Sequence, residues 1–264
     1  MMRAEIGVIG GTGFYSFFEG WQEITLETPF GSPSDAIALG EIDGRKVAFM
    51  PRHGREHSIP PHMINYRANL WAMHDLGVNR ILSSGAAGSL VRDIHPGDFV
   101  VSDQLIDRTS GRKDTYFDGP LTTHISIAEP FCPVLREVAI KSGASLQFPV
   151  HDQGTMVIIQ GPRFSTKAES RWYASQGWHI IGMTQLPEAA LARELQMCIA
   201  NVSLITDYDS GIEGTAAVTA DEAVTVFKKN AQSLQTLIEA IIESVPEERD
   251  CDCESALDVA RPNH

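Results

Sequence analysis

The segment Trp178-His179-Ile180-Ile181-Gly182-Met183-Thr184-Gln185-Leu186-Pro187-Glu188 decides the fold class, because it joins a strand-like apolar run to the start of a helix. The helical pattern covers 187–195, and a second apolar run rich in β-branched residues follows at 199–206. A strand, a helix and a further strand in this order are typical of layered α/β proteins. The pattern therefore predicts a sheet covered by helices.

The same two patterns recur along the rest of the chain. Strands are predicted at 6–9, 24–26, 36–39, 47–51, 80–84, 99–105, 154–160 and 178–181, besides 199–206. Helices are predicted at 64–76, 132–141, 165–176, 187–195 and 220–244. The early cluster of short strands indicates a mixed sheet. Since no repeat or low-complexity linker divides the chain, one domain is expected over 1–245, followed by a polar, weakly ordered tail at 246–264.

Composition limits the classes of partner. The 264 residues include 34 acidic and 21 basic side chains, a formal net charge of −13, and 43% hydrophobic residues. This charge disfavours nucleic acids and anionic membranes as partners. No apolar run approaches the ~18 residues of a membrane span, and no signal segment precedes the first predicted strand. We therefore expect a cytoplasmic protein with one large core.

Four cysteines raise the question of a metal or redox site. Cys132 and Cys198 lie in apolar surroundings, which predicts reduced core residues. Cys251 and Cys253 form a C-x-C pair in the polar tail, a spacing that also suits redox chemistry or a metal. No second Cys/His pair at zinc spacing lies near it in the sequence. The expectation is an exposed tail and no metal.

Two strand ends carry the chemistry. Thr184 stands at a strand-to-helix junction, where free backbone N–H groups and a hydroxyl suit an anion. Asp207 and Asp209 end the next strand, and on extended backbone residues i and i+2 point to the same side. A hydroxyl donor beside a pair of acids fits a phosphate-dependent cleavage of a base from a sugar.

Two further segments favour an anion site. Gly10-Gly11-Thr12-Gly13 follows the first strand, and its glycines and hydroxyl suit close approach of an anion, although a tight turn is an equal alternative. Arg52 can grip a phosphate bidentately, and His53 can add a donor. His53 and His57 also have the spacing of a helical metal pair, but Gly54 argues against a helix there. Phosphate binding is the favoured interpretation.

Two small or aromatic segments suit a nucleoside. The small residues of 83–89 would let a ligand lie against the backbone, or would let a helix pack closely on the sheet. Phe164 stands in a turn at 160–165 and can lie on a flat purine, unless it is a core residue. Neither segment decides the function alone.

Taken together and in this order, these motifs resemble the trimeric purine nucleoside phosphorylase family, and most of all its branch that acts on 5′-methylthioadenosine. The resemblance runs from about residue 6 to residue 244. Its most specific marks are Gly10-Gly11-Thr12-Gly13, Thr28-Pro29-Phe30-Gly31, Arg52-His53-Gly54-Arg55, Gly161-Pro162-Arg163-Phe164, Met183-Thr184 with Pro187-Glu188, and Thr206-Asp207-Tyr208-Asp209.

The resemblance implies a fold, an assembly and a set of site residues. The fold would be a single α/β domain with a mixed, partly barrel-like sheet. The assembly would be a homotrimer, or a dimer of trimers, with sites near subunit interfaces. Phosphate would be bound by Thr12, Arg52, His53 and Thr184. The nucleoside would be bound by Ala86, Phe164, Met183, Asp207, Asp209 and, from a neighbouring subunit, His124.

The implied reaction is phosphorolysis of methylthioadenosine to adenine and 5-methylthioribose 1-phosphate, as part of purine and methionine salvage. Asp207 would be the general acid at purine N7 and Asp209 would bind the base. Phosphate would be a co-substrate, and no metal or organic cofactor is implied. Gly85 stands where eukaryotic members of the branch tend to carry a threonine, and Ala220 and Ala223 are smaller than expected beside the 5′ group.

Three alternatives remain open. One is a phosphorylase of 6-oxopurine nucleosides or of methylthioinosine, which the two acids disfavour. Another is a nucleoside-binding module without catalysis that uses the 10–13 loop. The third is an NAD enzyme of the Rossmann type, which the defective glycine pattern disfavours. The segment 210–223, loosened by Gly211 and Gly214, is expected to form a mobile lid.

Overall fold

One mixed sheet of eleven strands organises the part of the chain that the computed structural model describes, residues 3–11, 18, 20–212, 214 and 218–260. The strands are β1 (Ile6–Gly10), β2 (Gln22–Ile24), β3 (Ile37–Ile42), β4 (Arg45–Pro51), β5 (Arg80–Ser89), β6 (Phe99–Val101), β7 (Gln104–Arg108), β8 (Val150–His151), β9 (Thr155–Ile159), β10 (Ile180–Gly182) and β11 (Cys198–Tyr208). The expected mixed α/β sheet is confirmed.

Strand β5 is the centre of the sheet. It pairs in parallel with β1 and β11 and antiparallel with β10. Because β5 has three partner strands, the sheet branches at this strand. Since β4 also runs parallel to β1, the strands β1, β4, β5 and β11 share one carboxyl edge. Parallel α/β sheets bind ligands at this edge.

Helices cover both faces of the sheet. They are α1 (Tyr66–Asp75), α2 (Pro133–Ser145), α3 (Lys167–Ser175), α4 (Gln185–Glu194) and α5 (Ala220–Ser244). One core cluster lies between the sheet and helices α2 and α5, and another lies between the sheet and helices α1 and α4. The amphipathic pattern of α5 is explained by this packing, because Leu234, Leu237 and Ile241 are fully buried.

Two predicted strands differ most from the structure. The run at 99–105 is split, because β6 pairs with β8 and β11 whereas β7 pairs with β9. At the break, the Ser102 hydroxyl donates to Asn201 Oδ1 at 2.7 Å, and Asp103 Oδ1 accepts from the Gly154 N–H at 3.0 Å. Strand β5 continues to Ser89 through small residues of low strand propensity, because β11 pairs with it along its whole length.

The C-terminal segment is not the exposed tail that the sequence suggested. Asp252–Ser255 forms a 3₁₀ helix, and Cys253 and Ala260 are each only 2% exposed. Cys253 joins the core cluster beneath α2 and α5, and Ala260 O accepts a hydrogen bond from the His124 N–H at 2.8 Å. Within 246–260, residues 246–248, 250, 252, 254, 258 and 259 are exposed, and the three buried residues Cys253, Ala256 and Ala260 pack the segment onto the domain. Within the described residues, no helix has the length and apolarity to cross a membrane.

Candidate active site

A cleft of about 400 Å³ opens at the shared carboxyl edge, where β4 and β11 end and α4 begins. Its walls come from strand ends, from the 159–165 turn and from the first half of α5. Most of the described residues that the sequence singled out line it, namely Arg52, His53, Ala86, Phe164, Met183, Thr184, Asp207 and Asp209. Thr12 lies outside the described residues, while its neighbour Gly11 lines the cleft.

Arg52 follows β4 and is 1% exposed. Its guanidinium holds the Glu188 carboxylate bidentately, through Nε to Oε1 and through Nη2 to Oε2 at 3.0 Å. Nη2 also donates to Ser83 Oγ at 2.7 Å, and Nη1 donates to Ser84 O at 2.8 Å. The predicted bidentate grip on phosphate is therefore wrong for this arrangement, because a carboxylate of the protein occupies that face of the guanidinium.

His53 presents an acceptor to the cleft, which corrects the donor role expected from the sequence. Its Nδ1 donates to the carbonyl of Ile59 at 2.8 Å, so the proton of the neutral ring is on that nitrogen. Burial and the neighbouring Arg52 cation lower the pKa of His53 to about 4. At neutral pH the ring is uncharged, and Nε2 can only accept a hydrogen bond.

Thr184 and Met183 occupy the junction between β10 and α4. Thr184 is the N-cap residue of α4, and within the described chain its side chain makes no capping bond to that helix. The Thr184 hydroxyl therefore remains available to a ligand, whereas Leu186 is non-helical and Pro187 has no N–H, so the helix start offers no regular set of donors. Met183 packs beside Gly161, where an added Cβ would lie 2.6 Å from its sulfur. Gly161 thus fixes where Met183 enters the cleft.

The two acids lie together at the end of β11. Asp207 Oδ2 accepts from the Thr206 hydroxyl at 2.7 Å. Burial, followed by the nearby charges of Asp209 and Glu222, raises the pKa of Asp207 to about 6. Asp209 is 2% exposed, and its Oδ2 has no hydrogen-bond partner among the described residues. An unpaired buried acceptor beside a carboxyl group whose pKa is raised toward neutral pH is a feature of functional sites.

The small residues of β5 make room for protein groups as well as for a ligand. A Cβ on Gly88 would lie 2.8 Å from Asp207 Oδ1, so a larger residue would displace the acid. A Cβ on Gly85 would lie 3.6 Å from Arg52 Nη1, an ordinary contact distance. The alternative that this segment serves only helix packing is excluded, because both glycines line the cleft.

One end of the cleft is apolar. Phe164 is 38% exposed there and is not a core residue. Helix α5 contributes Ala220, Ala223 and Phe227, and the two alanines are the positions where the sequence suggested extra room. His124 is exposed and is not among the lining residues of this chain. A contact from His124 to this cleft would have to come from another subunit.

The lining residues to which sequence reasoning gave no part in ligand binding include His57, Ser165, Val224, Phe227 and Lys228. Ser165 is the most informative of them, because its buried hydroxyl has no hydrogen-bond partner within the described residues. Its position directly after Phe164 was the available signal. The amphipathic pattern of α5 predicts a helix that includes Val224, Phe227 and Lys228. The sequence of this helix does not show which of its turns face the core and which face the cleft.

The cleft at this sheet edge is lined by Thr184 at the start of α4 and by the paired acids at the end of β11, and comparison with known proteins gives the class of protein. The chain belongs to the phosphorylase superfamily, whose family model matches residues 5–243. It is 50% identical to an S-methyl-5′-thioadenosine phosphorylase of Thermofilum pendens over 98% of this chain and 99% of the relative. It is 47% identical to a purine nucleoside phosphorylase of Streptomyces coelicolor over 97% of this chain and 95% of that protein.

A solved structure has the same fold as this chain. A methylthioadenosine phosphorylase from Schistosoma mansoni, in complex with adenine, superposes with a TM-score of 0.93. It is 33% identical and covers 98% of this chain and 99% of the other. The curated relatives carry names that differ in the nucleoside they act on, so the base must be argued from this cleft.

Proposed function

We propose that this protein cleaves 5′-methylthioadenosine with inorganic phosphate, giving adenine and 5-methylthioribose 1-phosphate. The observation that carries the choice of base is the buried pair Asp207 and Asp209 at one end of the cleft. Asp209 Oδ2 lacks a donor among the described residues, and a 6-amino group supplies one. A 6-oxo group would place an acceptor against an acceptor, which costs much in a buried site.

Asp207 is the general acid in this proposal. The bond between the anomeric carbon and N9 breaks, and a proton passes from Asp207 to N7, so that adenine leaves as the neutral base. The raised pKa of about 6 supports this role, because substrate binding completes the desolvation that keeps the carboxyl protonated. Thr206 holds Oδ2 through its hydroxyl, which orients the other oxygen.

Phosphate binds at the opposite end of the cleft. The Thr184 hydroxyl, which makes no capping bond to α4, donates to one of its oxygens. Arg52 contributes its Nη1 edge, and its charge is balanced by Glu188. His53 Nε2 accepts from a phosphate oxygen that carries a proton. A deprotonated phosphate oxygen then forms the new bond to the anomeric carbon as the loose, cationic sugar develops.

The apolar wall of α5 supports the choice of a methylthio group at the 5′ end. Ala220 and Ala223 leave room there, and Val224 and Phe227 are apolar. The proposal includes a homotrimer in the cytoplasm in which His124 of a neighbouring subunit closes this end. The lid expected at 210–223 falls partly outside the described residues and stays a prediction.

The test is base release measured by HPLC from methylthioadenosine, adenosine, methylthioinosine and inosine, each with and without phosphate. Phosphate-dependent release of adenine, fastest from methylthioadenosine, supports the proposal. Release of hypoxanthine instead keeps the reaction class and overturns the roles of Asp207 and Asp209. Release of no base from any nucleoside would leave the binding-module alternative.

A further inference from the structure

The fold gathers all four cysteines into one buried cluster. Cys132 is the N-cap residue of α2, Cys198 begins β11, and Cys251 and Cys253 belong to the C-terminal segment. Their Sγ atoms all lie within 4.8 Å of one another. The C-x-C pair therefore has its missing second pair, although those partners come from distant parts of the sequence.

We propose that this cluster is a tetrathiolate site for a soft divalent cation, Zn²⁺ in the first place. A Zn²⁺ ion with four sulfur ligands at about 2.3 Å requires sulfur–sulfur separations of about 3.8 Å. The Sγ atoms of Cys198 and Cys251 are 3.4 Å apart, and the other pairs lie within the 4.8 Å limit. All four side chains are free thiols, and three are fully buried.

The surroundings of the cluster carry the charge that such a site needs. Four thiolates around Zn²⁺ leave a net charge of −2, which a buried site must balance. Arg193 Nη1 donates to Cys253 Sγ at 3.5 Å, and the positive charge of Arg249 interacts with Cys198. Two cationic side chains thus lie near the sulfur atoms.

The consequence is structural. A metal bound here links the start of α2 and the start of β11 to the segment 251–260. None of the four cysteines lines the cleft, so the metal would have no part in the reaction. Structural Zn²⁺ sites contribute their binding free energy to folding. We therefore expect bound metal to hold the C-terminal segment on the domain.

The experiment uses the full-length protein, purified under reducing conditions without chelator, and measures zinc by elemental mass spectrometry. We expect about one zinc per chain, which Cys253→Ser loses and Ser255→Ala, a variant in the same short helix, retains. In case Cys253→Ser does not fold, Co²⁺ added to the reduced metal-free wild type reports the site through thiolate-to-cobalt charge-transfer absorption.

Three results would overturn the proposal. One is a reduced wild-type protein that binds neither added Zn²⁺ nor Co²⁺. Another is the presence of one or two disulfides, seen as an intact mass lower than that of the reduced chain by two hydrogens per disulfide, in a protein that binds no metal after reduction. The third is zinc that stays at full occupancy in Cys253→Ser.

Discussion

At the scale of single residues, the pairing of Arg52 with Glu188 sets the charge of the phosphate end. Both side chains are 1% exposed, so neither charge is compensated by water. Ser83 Oγ donates to Glu188 Oε2 and accepts from Gln185, each at 2.7 Å, which fixes the pair against the strand β5. In the proposed function, phosphate would thus meet a prearranged guanidinium rather than a mobile one.

We predict that Glu188→Gln raises the KM for phosphate on the order of 10-fold, while the KM for the nucleoside changes little. The amide cannot balance the Arg52 charge, so the guanidinium turns from its position. Steady-state kinetics with each substrate varied in turn measures the effect.

Glu194→Gln is the matched control for this variant. Glu194 is also buried on α4, but it bonds Thr115 Oγ1 and the Tyr116 N–H, both at 2.7 Å, away from the cleft. Both variants should lose stability, and only Glu188→Gln should change the phosphate dependence. Equal phosphate effects in the two variants would mean that Glu188 has only a structural role.

Asp207→Asn is predicted to lower the turnover of methylthioadenosine by about 10²-fold or more, because the variant lacks the proton for N7. The same change should raise activity on inosine relative to adenosine, since an amide can donate to a 6-oxo group. Initial rates on the four nucleosides measure both effects. An unchanged order of preference would remove Asp207 from the base site.

The stability of the Asp207→Asn variant should depend on pH. The folded pKa of Asp207 is raised from 3.8 to about 6, so the wild type loses stability as pH rises through this window. The neutral amide has no such loss. We expect the variant to have the higher free energy of unfolding at pH 8, by about 1–3 kcal/mol, and the wild type to match it near pH 4. A gap of the same size at both pH values would contradict the raised pKa.

At the scale of elements, the sequence predicts all five helices to within a few residues, because caps and apolar spacing act locally. It places Thr184 and the two acids at strand ends for the same reason. The sequence does not predict the partners of the buried polar groups. No local pattern indicates that Glu188 pairs with the guanidinium of Arg52, or that the Ile59 carbonyl accepts a hydrogen bond from His53 Nδ1. The first pairing joins residues that are 136 positions apart in the sequence, and the second depends on the path of the loop between His53 and Ile59.

Helix α5 is the element that sets the 5′ pocket. We predict that Ala223→Leu lowers the ratio of kcat/KM for methylthioadenosine to that for adenosine by about 10-fold, because the larger side chain takes the volume of the methylthio group. Thr225→Leu, on the same helix, exposed and outside the cleft lining, is the control. A ratio that is unchanged in Ala223→Leu would place the 5′ group elsewhere.

At the scale of the whole molecule, one sheet edge holds the chemistry and the opposite region holds the C-terminal segment. The family, the α/β class and the mixed sheet can all be predicted from the sequence, because local residue patterns indicate each strand and helix and therefore their order. The location of 251–260 was not, since Cys251 and Cys253 meet Cys132 and Cys198 only after the fold has formed. The expected subunit contact through His124 likewise needs a second chain.

The most direct test of the account is competition between methylthioadenosine and methylthioinosine, which differ only at purine position 6. Both nucleosides are mixed with the wild-type enzyme and excess phosphate, and the ratio of adenine to hypoxanthine released gives the ratio of kcat/KM. The unpaired Asp209 oxygen and the raised pKa of Asp207 predict a preference for the amino compound on the order of 10² or more. A ratio near one, or a preference for methylthioinosine, would contradict the roles given to the two acids.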